Sequence, residues 1–315
     1  MFACAGKYGM IIDKNIITDG VDKIMILSAS RRTDIPCFYS DWFMNRLKEG
    51  FALYRNPMNH SQICRVSLNP EEIDGIVFWT KDPDPMLDKL ERLDTMGYPY
   101  YFQFTLTPYD KSIESNLRDK KEILTTFRQL SGRLGKHRVL WRYDPIILNE
   151  ALTMEFHLNK FDYLCRELAG CTEICTISFV DNYQKLGRRV KEEVIKDITE
   201  GHMHQLAASM AETARPYGIE LRACCEEVDL SPDGVKAASC IDKGVIERIV
   251  GHPFTVRRDK SQRLHCGCMQ SVDIGAYNTC RNGCIYCYAN HSEASIRENL
   301  IRHHSESPFL IESNG

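Results

Sequence analysis

The sequence predicts an α/β fold, a full or partial TIM-type (β/α) barrel in which a cysteine loop near the C-terminus closes the ring of strands. Short apolar strands alternate with amphipathic helical segments along the 315 residues, which indicates parallel strands joined by helical crossovers. Several strands carry polar residues on one face only. The last strand–loop–helix unit holds three closely spaced cysteines.

Composition favours one large globular unit in a reducing compartment. The chain is 43% hydrophobic and 26% charged, which is enough to form a sizeable core. A net charge of −3 gives no general attraction to nucleic acid, so nucleic acid is not a favoured partner, although a local basic patch stays open. The sequence shows neither a signal peptide nor an apolar run of about 18 residues. We therefore expect a cytoplasmic protein without a membrane partner, whose cysteines are reduced.

Six strands are expected in the barrel, which we assign to residues 25–223. Residues 1–24 are expected to be an N-terminal extension without an assigned role. A hairpin insertion is expected between Phe51–Arg55 and Ile63–Leu68. The barrel strands are Ile24–Ser30, Ile76–Lys81, Tyr100–Thr107, Arg138–Asp144, Ile174–Val180 and Ile219–Cys224.

Apolar residues recur at helical spacing between these strands. A cysteine-rich region, residues 224–304, is expected to close the barrel with a short strand at Val272–Tyr277 and a helix at Ser295–His304. Residues 305–315 would form a tail. The four helical stripes lie within Phe38–Leu47, Ile113–Leu134, Phe161–Leu168 and Leu206–Ala214.

Polar side chains share one face of several strands. Gln103 and Thr105 lie on one face of their strand, Arg142 shares a face with Asp144, and Ser178 lies on the polar face of the next strand. Because the outer face of a barrel strand packs on helices, the polar faces would line the lumen and form a binding cavity. Gln103, Thr105 and Ser178 are therefore cofactor-binding candidates. The alternative is an open sheet with one solvated face.

Charged residues gather where strands end, which is where α/β barrels place their chemistry. Four of them are cations that suit the carboxylate or phosphate of a cofactor or substrate. The alternative for these cations is ion pairing with neighbouring aspartates, and any one residue alone could be a turn residue or a helix cap. The catalytic candidates are Arg31, Arg32, Asp34, Lys81, Arg142 and Asp144, and the same strand ends hold Asp82, Asp110, Asp181, Asn182 and Glu226.

The cysteine loop, Cys280–Cys287, holds three cysteines at x3 and x2 spacing. Thiolates are the usual protein ligands of iron–sulfur clusters, and three can hold three irons of a [4Fe–4S] cluster while the fourth iron stays open. Structural zinc sites usually have paired Cys-x2-Cys knuckles and four closed ligands, so this spacing suits zinc less well. The metal-ligand candidates in the loop are Cys280, Cys284 and Cys287.

A second cysteine group consists of Cys224, Cys240, Cys266 and Cys268. Cys224 ends a strand on its polar face, and the pair at 266 and 268 lies just upstream of the cysteine loop. Four thiolates at one place would form a closed site for an auxiliary [4Fe–4S] cluster or for zinc. Cys225 competes with Cys224 but lies on the apolar face. The alternative is that these thiols are small buried hydrophobic groups.

Five segments together resemble the DUF1848 family, an uncharacterised bacterial family with a C-terminal cysteine cluster similar to that of radical S-adenosylmethionine (SAM) proteins. The segments are Ser28–Pro36, Val77–Lys81, Phe102–Thr107, Trp141–Pro145 and the cysteine loop, and the resemblance spans about residues 25–304. The segment around Cys287 is also similar, more distantly, to spore photoproduct lyase. Radical SAM enzymes typically place the cysteine unit first, so the resemblance implies a circularly permuted barrel with this unit beside the first strand. The chain has no clear Gly-Gly-Glu segment.

The resemblance implies a [4Fe–4S] cluster on the loop cysteines, with SAM on its open iron. Reductive cleavage of SAM would yield a 5′-deoxyadenosyl radical that abstracts hydrogen from a small-molecule or nucleotide-like substrate. Tyr286 would flank the adenine, and flavodoxin or ferredoxin would supply the electron. One alternative is a non-catalytic iron–sulfur or zinc sensor whose loop is closed by a histidine such as His291 or His265. Another is a nucleic-acid repair lyase that holds a base on Trp79 or Trp141.

Overall fold

The computed structural model describes residues 11–13, 25–180, 198–263 and 265–312. Eleven strands are present in these ranges, and they form one large and one small sheet. The strands are β1 (Ile11–Asp13), β2 (Ile26–Ala29), β3 (Phe51–Asn56), β4 (Asn59–Ser67), β5 (Gly75–Thr80), β6 (Tyr100–Thr105), β7 (Val139–Ile146), β8 (Ile174–Phe179), β9 (Glu220–Ala223), β10 (Lys236–Ala237) and β11 (Val272–Asp273).

The large sheet contains eight parallel strands in the order β10-β9-β8-β7-β6-β5-β2-β11. From β2 to β10 the order in space follows the order in the chain. The C-terminal strand β11 adds beside β2, with Val272 opposite Leu27 and Asp273 opposite Ser28. The α/β class and the position of the C-terminal unit beside the first strand are as predicted. In the described residues no ladder joins β10 to β11, so the sheet does not close into a full TIM-type barrel.

The small sheet has the order β1-β4-β3. The predicted hairpin is present, because β3 and β4 pair in antiparallel register around a turn at residues 57 and 58. Strand β1 pairs in parallel with β4, so part of the expected N-terminal extension joins this sheet. The predicted tail packs against the rest of the chain. Its residue Phe309 forms an isolated bridge with Leu53, and the Ser307 and Phe309 carbonyls accept from the Trp42 indole N–H.

Most of the helices cover one face of the large sheet, and several begin at a capping side chain. The side chains of Asp119, Thr153 and Thr199 accept backbone N–H bonds at the starts of three helices. Within the described ranges, no helix has the length and hydropathy needed to cross a bilayer. The helices are α1 (Ile35–Phe38), α2 (Ser40–Glu49), α3 (Leu90–Thr95), α4 (Lys120–Leu134), α5 (Met154–Glu167), α6 (Glu200–Ala214), α7 (Lys243–Val250) and α8 (Glu293–Ile301).

The helix expected over Ile113–Leu134 is shorter than its apolar stripe. Asp119 and Glu122 form a reciprocal capping box, which starts α4 at Lys120. Ile113 and Leu117 are buried but lie in the turns before the helix. The helical spacing of these two residues was therefore misleading, since the segment that carries them packs against the cysteine loop.

The alternation of faces along the strands is as expected, and each face has its own apolar core. Phe102, Phe104 and Trp141 belong to the main core under the helices. The opposite face contributes Tyr101 and Leu140 to a smaller core with α7 and three cysteines of the second group. Sequence patterns alone did not predict α7, which fills part of the space expected to be a polar lumen.

Candidate functional site

A cavity of about 960 Å³ opens on the face of the sheet opposite the main helices, beside the C-terminal strand ends. Its size is in the range of small-molecule sites, roughly 300 to 1,000 Å³. Sixteen of the seventeen candidate residues from the sequence line it, Gln103 being the exception. These sixteen are Arg31, Arg32, Asp34, Lys81, Thr105, Arg142, Asp144, Ser178, Cys224, Cys240, Cys266, Cys268, Cys280, Cys284, Tyr286 and Cys287.

The cysteine loop has a compact backbone. The Cys287 N–H donates to the Cys284 carbonyl at 3.1 Å, and the Asn290 side chain donates to the Cys280 carbonyl at 2.8 Å. Gly283 has φ of +69°, which L side chains rarely adopt. A Cβ built there would clash with the Ser115 hydroxyl, so this position requires glycine for two independent reasons.

Residues 113–116 form a backbone support for the cysteine loop. The Ile285 N–H donates to the Ile113 carbonyl at 3.1 Å, and the Asn116 N–H donates to the Asn282 carbonyl at 3.2 Å. An antiparallel bridge joins Glu114 to Cys284 between these bonds. The support therefore follows the loop like a short strand, which explains why residues 113–117 do not continue α4.

Burial raises the pKa of all three loop thiols, that of Cys284 to about 12. Cys284 and Cys287 lie near enough to Cys280 to raise its pKa further through repulsion between thiolates. Such thiols stay neutral until a cation replaces their protons. Across the described ranges, no three His, Cys, Asp or Glu side chains already surround a single metal-ion position.

Glu114 lies behind the loop, where its side chain is completely buried, and links four other residues. Its carboxylate accepts from the Lys81 ammonium and the Thr107 hydroxyl, each at 2.8 Å, and from the Lys120 ammonium and the Tyr286 hydroxyl. Burial opposes its charge, but Lys81 and Lys120 outweigh this effect and lower the pKa of Glu114 to about 2. Sequence analysis missed Glu114, because it lay in a stripe interpreted as helical.

Asp34 connects the first strand end to the cysteine loop. Its carboxylate accepts from the backbone N–H groups of Lys81 and Cys37, at 2.8 and 3.1 Å, and from the Asn282 amide at 3.1 Å. Burial raises the pKa of Asp34 to about 6. Its bonds are those of a residue that holds three segments together at the cavity wall.

The second cysteine group is brought together by the fold. The Cys224 and Cys240 sulfurs are 3.0 Å apart, and the thiols of Cys240 and Cys266 each hydrogen-bond with Cys268. Cys225 joins the edge of the group through a hydrogen bond with Cys266. Strand alternation had placed Cys225 on the apolar face, away from the group. That alternation does not apply to Cys225, because β9 ends at Ala223 and the Cys225 backbone has the left-handed conformation, with φ of 62°.

Arg142 connects this group to the strand ends. Its guanidinium donates to the Cys240 sulfur at 2.8 Å and forms an ion pair with Asp144, which also accepts from the Ser178 hydroxyl. Hydrogen bonds from Cys224 and Cys268 lower the pKa of Cys240 well below the usual thiol range, and Arg142 reinforces the effect. Arg142 is thus already engaged within the protein.

Gln103 points away from the open cavity. Its amide donates to the Cys240 carbonyl at 2.8 Å, and the Tyr101 hydroxyl donates to the same oxygen at 2.8 Å. Gln103 therefore holds the segment around Cys240 in place, and that segment separates Gln103 from the cavity. Thr105 and Ser178, on the same face, remain at the cavity wall.

The other strand-end residues have separate surroundings. Asp82 forms a two-pronged ion pair with Arg118, at 2.5 and 2.6 Å. Asp110 caps a turn at Ser112, and the Glu226 carboxylate accepts from the Phe179 N–H at the cavity wall. Asp181 and Asn182 lie outside the described residues. His265 and His291 are exposed, and the described residues that line the cavity do not include them.

The comparison with protein families identifies the family of this chain. The model of a domain of unknown function, DUF1848, matches residues 26–289, which cover the large sheet and the cysteine loop. The chain belongs to the DUF1848 family. No curated protein matches the chain. All five segments that carried the resemblance lie within the matched residues.

Proposed function

We propose that this DUF1848 protein is a radical SAM-type iron–sulfur enzyme with an auxiliary four-cysteine site. One observation carries the proposal: the cysteine loop and the second cysteine group both open onto one cavity at the strand ends. The segment that carries Cys240, Cys266 and Cys268 packs across the sheet, so these thiols reach the cavity that the cysteine loop also lines. We further propose that the open sheet is a partial barrel, permuted so that its cysteine unit comes last.

The residues present fit a [4Fe–4S] cluster on the loop. Cys280, Cys284 and Cys287 are soft thiol donors on one short backbone turn, and three such donors leave one iron free. Lys81 lies near enough to lower the pKa of Cys284 and Cys287, which opposes the effect of burial. With SAM bound to the free iron, the cluster and SAM would together supply a radical that abstracts hydrogen from the substrate.

The surrounding residues would orient the cofactor and exclude water. Glu114 fixes the Tyr286 hydroxyl and the Lys81 ammonium, so the aromatic ring beside Cys287 has one position from which to flank an adenine. The Lys81 nitrogen lies 5.4 Å from the centre of the Tyr286 ring. The second group, Cys224, Cys240, Cys266 and Cys268, would hold the auxiliary cluster or zinc. A reducing partner such as flavodoxin or ferredoxin would supply electrons.

Anaerobic reconstitution followed by reduction with dithionite in the presence of SAM tests this proposal. We expect about eight irons per chain if both sites hold four-iron clusters, and release of 5′-deoxyadenosine. A variant with Cys280, Cys284 and Cys287 all changed to alanine should lose about half the iron and all SAM cleavage. SAM cleavage by that variant would refute the assignment. Zinc in place of iron, without SAM cleavage, would favour the alternative of a metal-binding sensor.

A further inference from the structure

The four cations identified from the sequence, all of which line the cavity, differ in whether the protein already neutralises them. Lys81 is paired with Glu114 at 2.8 Å, and Arg142 is paired with Asp144. Arg31 and Arg32 form no ion pair with any described residue. Lys81 and Arg142 are therefore neutralised within the protein, whereas Arg31 and Arg32 are available to an anionic ligand.

Arg31 also has hydrogen-bonding capacity that no described residue uses. Its Nη2 atom is buried and makes no hydrogen bond within the described ranges, and the same holds for the Thr33 hydroxyl, on a residue only 4% exposed. Both residues line the cavity. Buried donors without partners are costly, which makes them a signature of groups that meet a ligand.

Neighbouring groups hold the Arg31 guanidinium in position without neutralising it by an ion pair. It lies 5.3 Å from the centre of the Trp79 ring, and the Arg31 carbonyl accepts from the Tyr288 hydroxyl at 2.8 Å. Asp273 and Asp259 lie within electrostatic range. The Asp273 carboxylate accepts from backbone and hydroxyl donors, and the Asp259 carboxylate accepts from Ser261 and Gln262.

We propose that Arg31, Thr33 and Arg32 form an oxyanion-binding subsite that takes the carboxylate or phosphate group of the substrate. A planar guanidinium with an unused Nη2 suits the two-pronged binding of such a group, and the Thr33 hydroxyl is a second unused polar group at the same cavity. The second guanidinium, Arg32, donates to the Gly275 carbonyl at 3.2 Å and also lines the cavity. The substrate is therefore an acid or a phosphate ester.

The location of the subsite suits this role. Tyr288, which holds the Arg31 backbone, directly follows Cys287 of the loop, while Cys268 and Cys240 of the second group lie within electrostatic range of the Arg31 guanidinium. An anionic substrate held there would lie between the two cysteine groups. The assignment of this anion to the substrate rests on the proposed function, whereas the binding of an oxyanion does not.

Binding of inorganic phosphate to the reconstituted full chain tests the subsite. Equilibrium dialysis at constant ionic strength would measure the dissociation constant. Trp79 fluorescence would report the location, because the indole N–H groups of Trp42 and Trp141 are buried and already donate to carbonyls. We expect saturable binding, weakened about tenfold or more in Arg31→Gln and less in Arg31→Lys, which keeps the charge.

A matched control is Arg128→Gln, which removes a surface arginine paired with Glu167 and should leave phosphate binding unchanged. Absence of saturable binding, equal binding by Arg31→Gln, or displacement of phosphate by SAM would each overturn the proposal. Iron content and 5′-deoxyadenosine release are measured on the same samples. If these fail while Arg31-dependent phosphate binding remains, the proposed radical chemistry is wrong and the oxyanion subsite stands.

Discussion

Removal of the Glu114 charge should destabilise the protein far more than removal of a half-buried carboxylate whose cationic partners are exposed. Glu114→Gln keeps an acceptor for Thr107 and Tyr286 but takes the counter-charge from two ammonium groups. The Lys81 side chain is 13% exposed and would be left as a buried charge, whereas Lys120, at 29%, can turn partly towards water. Loss of one partner of a buried ion pair costs about 3–5 kcal/mol. Because Lys120 can regain some hydration, we expect Glu114→Gln to lower the free energy of unfolding by about 3 kcal/mol.

Urea denaturation at neutral pH measures this cost, and Glu173→Gln is the matched control. Glu173 also pairs with two cations, Arg248 at 2.6 Å and Lys136 at 3.4 Å, but both partners are more than half exposed. Its loss should cost less than about 1 kcal/mol. Equal free energies of unfolding for the two variants would refute the claim that Glu114 anchors the cysteine loop as a buried charge.

Three further outcomes are expected. Gly283→Ala should lower the iron content of the reconstituted protein, because the added Cβ clashes with Ser115, whereas Gly97→Ala, with φ of +80° and nothing within 4 Å, should cost about 1 kcal/mol and keep the iron. Cys268→Ser should reduce iron while SAM cleavage by the loop cluster persists, and loss of both together would contradict separate sites. Burial lowers the pKa of His157 to about 4. The stability that the neutral His157 side chain contributes is therefore present above about pH 6.5 and is lost as the pH falls towards 4. Denaturant titrations measure the free energy of unfolding across this pH range. Its decrease between about pH 6.5 and pH 4 should be about 3 kcal/mol smaller in His157→Gln than in the unmodified protein, and equal decreases would contradict this prediction.

Local patterns predicted those features that depend on local geometry. The alternation of faces in β6 and β7 follows from the two-residue period of a strand, so Phe102 and Phe104 were correctly separated from Thr105. The parallel order from β2 to β9 follows from strand–helix alternation, because each crossover helix places the next strand beside the last. The cysteine loop was recognisable because its three thiols are close in sequence.

Periodicity was misleading where a segment packs against a distant partner. Ile113 and Leu117 have helical spacing, yet the Asp119 cap starts α4 later and the earlier residues support the cysteine loop. Helix α7 lies in a stretch whose apolar residues gave no strong pattern, and it packs on the inner face of the sheet. Gln103 is bonded to the Cys240 carbonyl just before this helix, and no ladder joins β10 to β11 in the described residues.

The sequence by itself determined the α/β class, the strand order and the residues that reach one end of the sheet, since these depend on short-range periods and spacing. Only the tertiary structure decided which cations are neutralised, because Glu114 approaches Lys81 from 33 positions away and Arg142 meets Cys240 from 98 positions away. The same kind of long-range contact joins Arg31 to Tyr288, beside the cysteine loop, from 257 positions away and leaves its Nη2 unused within the described residues. Charge pairing across such separations depends on how strands and loops meet in space, and no local pattern encodes it.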